Sequence, residues 1–144
     1  MWSLTTLLLL FHLQQTDFSA QGLKALDAGN YESAAEAFTK AVRADPKDYS
    51  AHFHLALAYS LLGRDTEAIP IYKSVLELKP GLYEAELNLG MLLIRQKQAR
   101  EAIPYLQAAR EKKRGEFRPA FYLAEAMLGA GDLTKAEEHY RTAV

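Results

Sequence analysis

Ala34, Ala68, Ala102 and Ala136 stand 34 residues apart in each successive pair, and most of the chain repeats in step with them. A fixed period of that size marks a stack of similar units, none of which can bury its apolar face without leaning on its neighbours. No insertion breaks the register from about residue 15 to residue 144. The columns of that register therefore constrain the fold more than any single motif does.

One column holds Gly22, Ala56, Gly90 and Ala124, small residues where one helix crosses close to its partner. Another holds Phe38, Tyr72, Leu106 and Tyr140, a large apolar or aromatic knob, followed on the same helical side by Ala41, Val75, Ala109 and Ala143. The turn column is Gly29, Gly63, Lys97 and Gly131, three of which take a left-handed conformation without a Cβ penalty and so end a helix. Asn30 and Asp132 directly afterwards are N-caps for the second helix. Pro46 and Pro80 fall where that second helix must stop, and Pro70 and Pro104 share a column expected in a first helical turn.

With small residue, turn glycine, alanine, aromatic knob and terminal proline at this period, the chain resembles the tetratricopeptide repeat family. The resemblance covers residues 15–144 in units starting near 15, 49, 83 and 117, the last of them incomplete. It implies an all-α fold, a right-handed α-solenoid of antiparallel helix pairs, that serves as a scaffold for protein–protein interaction. Two departures stand out: Ala25 where the second unit has Tyr59, and Lys97 and Arg114 for the turn glycine and terminal proline of the third.

The last unit stops at Val144 before its second helix has run the length of the others. Solenoids end in a helix with a polar outer face, so the chain is expected to be a fragment or to be covered there by another subunit. Residues 1–14 form a second anomaly, because Trp2, Leu4, Leu7 to Leu10, Phe11 and Leu13 make an apolar run without charge. The run is shorter than the roughly 20 residues a bilayer requires. Three readings stay open: a signal peptide or anchor, a capping helix with Leu4 in the knob column, or a segment that docks in a neighbouring chain. The first would make the protein secreted, periplasmic or membrane-associated; otherwise it is cytoplasmic.

Function is expected on the concave face that the resemblance implies, lined by the first helix of each unit. Its inward columns are Ser19, Phe53, Leu87 and Phe121, then Leu23, Leu57, Met91 and Glu125, then Asp27, Leu61, Arg95 and Gly129. Family members that clamp a peptide's terminal carboxylate use Lys, Arg and Asn in these columns; here only Arg95, with Asn88 nearby, matches. The expected partner-binding residues are Phe53, Leu57, Leu61, Leu87, Asn88, Met91, Arg95, Phe121 and Glu125, an apolar strip suited to a hydrophobic peptide with a small number of polar contacts. The alternative is a self-assembling oligomerisation module, swapped or end-capped, whose own N-terminal segment fills the groove.

Catalytic and metal chemistry find little support. His52 and His54 point roughly 200° apart on a helix, so they do not share a metal as an i, i+4 pair can. His12 and His139 are expected to be isolated surface residues, and Glu84, Glu86, Glu137 and Glu138 to lie on exposed charged faces. No glycine-rich phosphate loop is present, and with no cysteine there is no thiol chemistry. No enzyme, cofactor or small-molecule substrate is expected. Arg110, Lys112, Lys113, Arg114 and Arg118 form a basic cluster near Phe117 and Tyr122, but most are expected in the last turn of a helix, offsetting its dipole. With a net charge of −1 the chain has no field to recruit nucleic acid or anionic lipid.

Overall fold

The computed structural model describes residues 4–143, with the side chains of 6–16, 142 and 143 left undescribed. The described residues form eight α-helices and no strand. They fall into two compact units that divide between Leu78 and Lys79. Unit 1 holds α1 (Leu4–Asp27), α2 (Tyr31–Ala44), α3 (Tyr49–Leu61) and α4 (Asp65–Leu78). Unit 2 holds α5 (Tyr83–Arg95), α6 (Ala99–Lys112), α7 (Phe117–Gly129) and α8 (Leu133–Ala143). Within each unit every helix packs on the next one in sequence.

The turns that join the two helices of a pair are alike. Gly29, Gly63, Lys97 and Gly131 have φ of 72°, 71°, 60° and 88°. Each donates its N–H to the carbonyl three residues back, and the next residue donates to the carbonyl five back. For the third turn these bonds are Lys97 to Ile94 at 2.9 Å and Gln98 to Leu93 at 2.8 Å. This is the Schellman arrangement, which satisfies carbonyls that a helix end leaves orphaned. The second helices start under the expected caps. The Asn30 side chain accepts from the Ser33 N–H, and Asp132 Oδ1 accepts from the Lys135 N–H at 3.2 Å. Asp48 caps α3 in the same way.

The columns fill the cores. Ala34, Ala68, Ala102 and Ala136 are buried, as are Phe38, Tyr72, Leu106, Ala41, Val75 and Ala109. The small-residue column is set by contact: a Cβ on Gly90 would fall 2.4 Å from Leu106 Cγ, and one on Gly22 would fall 2.6 Å from Phe38 Cζ.

Two expectations need correction. Pro70 and Pro104 are not in a first turn; each is the sixth residue of its helix, inside α4 and α6. The missing N–H leaves the carbonyls of Thr66 and Arg100 without an intrahelical donor. Both of these residues are exposed. At the N-terminus, α1 runs without a break from Leu4 to Asp27, across the expected boundary at residue 14. Leu4, expected as a buried knob, is 82% exposed. The rest of the apolar run, including the side chain of His12, lies outside the described side chains. No described helix is long and apolar enough to cross a membrane.

Candidate functional site

In unit 1 the inward columns fall on α1 and α3. Phe53 and Leu57 are half-buried, while Leu61 is 46% exposed. The Phe53 ring packs edge-on against Tyr72 of α4 at 5.7 Å, so its orientation is fixed by the core. On α1, Ser19 is half-buried, and Leu23 and Asp27 are exposed. In unit 2, Leu87 of α5 is only 3% exposed, so its side chain belongs to the core and backs the face. Asn88 and Met91 are half-buried, and Arg95 is exposed. On α7, Phe121 and Glu125 are half-buried.

Unit 2 draws several of these residues together. Arg118 of α7 reaches across to Met91 of α5, with Nη2 3.4 Å from the sulfur. Phe121 packs against Tyr122 at 5.4 Å and against Tyr140 of α8 at 5.9 Å. The Tyr140 hydroxyl donates to Glu125 Oε1. Burial and that carboxylate push the Tyr140 hydroxyl up to about 12. Tyr140, in the knob column, thus does two jobs: its ring supports Phe121 and its hydroxyl holds Glu125.

One residue of this face was missed from the sequence. Phe117 is 54% exposed and stacks on Phe121 at 5.3 Å with the rings 23° apart. Its signal was present, because 117, 121 and 125 lie one turn apart on one stripe of α7. It falls at the helix start, a turn before the columns considered.

The histidines have local structural partners. His52 Nε2 donates to the Pro46 carbonyl at 3.0 Å. His54 Nδ1 donates to the Ser50 carbonyl at 2.8 Å, and its ring stacks on Phe38 at 5.2 Å. His139, expected to be isolated, is half-buried, and its Nδ1 accepts from Arg110 Nη1 at 2.7 Å. Burial, then the adjacent Arg110 charge, hold its pKa below the usual histidine value. Among the described residues, no group of three or more His, Cys, Asp or Glu side chains is placed to hold a metal ion.

The acidic and basic residues also differ from expectation. Glu86 is 6% exposed and pairs with Lys112 at 2.7 Å. Only Arg110 and Lys112 of the basic cluster sit in the last turn of α6, since that helix ends at Lys112. Lys113 pairs with Glu116 at 3.2 Å and lies 4.1 Å above the Tyr83 ring. The Tyr83 hydroxyl donates to Glu116 at 2.7 Å. The cluster therefore serves largely to join α5, α6 and the start of α7. Away from the inward columns, a cavity of about 340 Å³ opens beside α2, where Glu36, Lys40, Arg43, Tyr59, Leu62 and Arg64 are among its walls.

Tetratricopeptide repeat profiles match this chain over residues 19–83 and, for a second profile, over 63–116 and 93–144. DnaJ homolog subfamily C member 3 of Bos taurus is 36% identical over 81 residues, which make up 56% of this chain and 16% of that protein. The chain thus spans about a sixth of the length of that curated relative. Among solved structures, the 41-end form of MamA from Desulfovibrio magneticus RS-1 matches with a TM-score of 0.88 at 24% identity, covering 91% of this chain and 74% of that one. YrrB, described as a TPR protein with an unusual peptide-binding site, matches with a TM-score of 0.84 at 22% identity, covering 90% of this chain and 66% of that one.

Proposed function

Since this chain belongs to the tetratricopeptide repeat family, we propose that it is a non-enzymatic scaffold that binds a peptide or protein segment on the inward stripes of its first helices. The observation that carries this reading is the partial exposure of apolar side chains along those stripes, set on a rigid backing. Phe53 is braced by Tyr72 and Phe121 by Tyr140, so the face is organised before a partner arrives. Preorganisation lowers the ordering cost of binding. On α3 the contact residues are Phe53, Leu57 and Leu61. In unit 2 they are Met91, Phe117 and Phe121, with Asn88, Arg95 and Glu125 as polar contacts and Leu87 behind them. The peptide-binding site named for YrrB supports the same class of ligand here.

The test is a display selection of nine-residue peptides on the folded chain, followed by titration of the selected peptides against Phe121→Ala and Leu61→Gln. At least one of the two substitutions is expected to weaken binding about tenfold, the loss of a single anchoring side chain. Leu61→Gln should leave the thermal melt unchanged, given its exposure. Failure to select any peptide, or peptides indifferent to both substitutions, would remove this proposal.

A further inference from the structure

We infer that unit 2 selects peptides in which a lysine or arginine stands two residues from an apolar side chain, the apolar group resting on Phe117 and Phe121 and the cation on Glu125. This rests on the peptide-binding reading above and names its ligand chemistry.

The spacing comes from α7. Phe117, Phe121 and Glu125 succeed one another at four-residue steps, each a rise of about 6 Å. An extended peptide lying along the helix presents residues i and i+2 on one side, about 6.6 Å apart. One apolar side chain on the phenylalanine pair therefore places the side chain two residues away at Glu125.

The apolar subsite is a flat platform. Phe117 and Phe121 are stacked, and the outer ring is more than half exposed. Edge contacts from Tyr122 and Tyr140 keep Phe121 in place. Stacked and T-shaped rings of this kind accept a further apolar or aromatic group on their open side.

Charge fixes the second subsite. Glu125 is a partly buried carboxylate, and among the described residues no cation is paired with it; its one hydrogen-bond partner is the Tyr140 hydroxyl. A carboxylate has about four acceptor positions, so acceptor capacity remains for a ligand. The tyrosine restrains the carboxylate and adds no charge, because its hydroxyl stays protonated far above neutral pH. The nearest cation of α7, Arg118, is turned onto Met91. A cationic peptide residue meets complementary charge here, and an acidic one meets repulsion.

The test uses fluorescence anisotropy of the full chain with labelled nine-residue peptides, acetylated and amidated so that terminal charges are absent. Each carries one Phe in an Ala/Ser background with Lys, Gln or Glu two residues away, in both orders, at concentrations up to about 1 mM. The Lys peptide in at least one order is expected to bind about fivefold tighter than its Gln counterpart, with the Glu peptide weakest. Glu125→Gln keeps an acceptor for Tyr140 and should erase the Lys-over-Gln difference without changing the melt. Equal binding of Lys and Gln peptides, preference for Glu, or a Lys preference that survives Glu125→Gln would overturn the inference and leave the peptide-binding proposal standing. No binding by any of the peptides to the folded chain would also overturn the inference, and the display selection then decides the peptide-binding proposal separately.

Discussion

Lys112 Nζ lies 2.7 Å from both carboxylate oxygens of Glu86, tying the last residue of α6 to the first turn of α5. The acid sits at a helix N-terminus and the base at a helix C-terminus, so each also complements its own helix dipole. Removing the lysine strands a buried carboxylate, whereas removing both charges does not. Lys112→Met should destabilise the chain by about 1–3 kcal/mol, toward the lower end because the lysine is partly solvated. Glu86→Leu combined with Lys112→Met should recover most of that loss. Urea denaturation of the two variants decides the matter: equal destabilisation would show that the pair is not coupled.

The tight contact between Gly90 and Leu106 gives a second prediction. Because a methyl group on Gly90 would collide with Leu106, Gly90→Ala should cost about 1–3 kcal/mol. In a Leu106→Ala background the same change should be neutral or stabilising, since the methyl then enters vacated space. Additive losses in the thermal melts would contradict the contact.

Lys97 is the one described non-glycine residue with positive φ. Lys97→Gly should stabilise the protein by about 0.5–1 kcal/mol, the relief of a left-handed side chain less the extra freedom glycine gives the unfolded chain. A lower Tm for Lys97→Gly would mean that the lysine side chain contributes more than its backbone costs.

His139 makes stability depend on pH. Its pKa in the folded chain is depressed by burial and by Arg110, below the ordinary value of 6.5. The unfolded chain therefore binds the proton more readily in the interval between the two values, and stability rises with pH through it. The contribution is fully present above 6.5 and is lost as pH falls toward the folded-state pKa. Denaturation midpoints measured from pH 7.5 down to 5 should decline, and His139→Gln should flatten that decline. An unchanged slope in the variant would assign the effect to other groups.

Much of this fold was legible in the sequence because a 34-residue period aligns residues that do the same packing job. Gly22 and Gly90, the buried alanines, the knobs and even the left-handed lysine stand where the columns put them. The prolines were misplaced because a three-residue turn starts the second helix at Asp65 and Ala99, which puts the Pro70 and Pro104 column at the sixth residue. Side-chain pairing was less legible. Arg110 and His139 are 29 residues apart, and Glu86 and Lys112 are 26 apart. A repeat register carries apolar periodicity, but it does not say which long charged side chain will reach which partner. The candidate site followed the same pattern: its columns could be listed from the register, whereas the burial of Leu87, the stacking of Phe117 on Phe121 and the tyrosine behind Glu125 required three dimensions.

The four like turns bear on how this protein comes into being. Each closes a pair of helices that are neighbours in the chain, so the first tertiary contacts require only short loops and little entropy. A nascent chain leaving the ribosome can shape one hairpin while the next is still being made, and need not wait for its own end. Damage to one turn, on that view, delays assembly locally and leaves the other three free to begin.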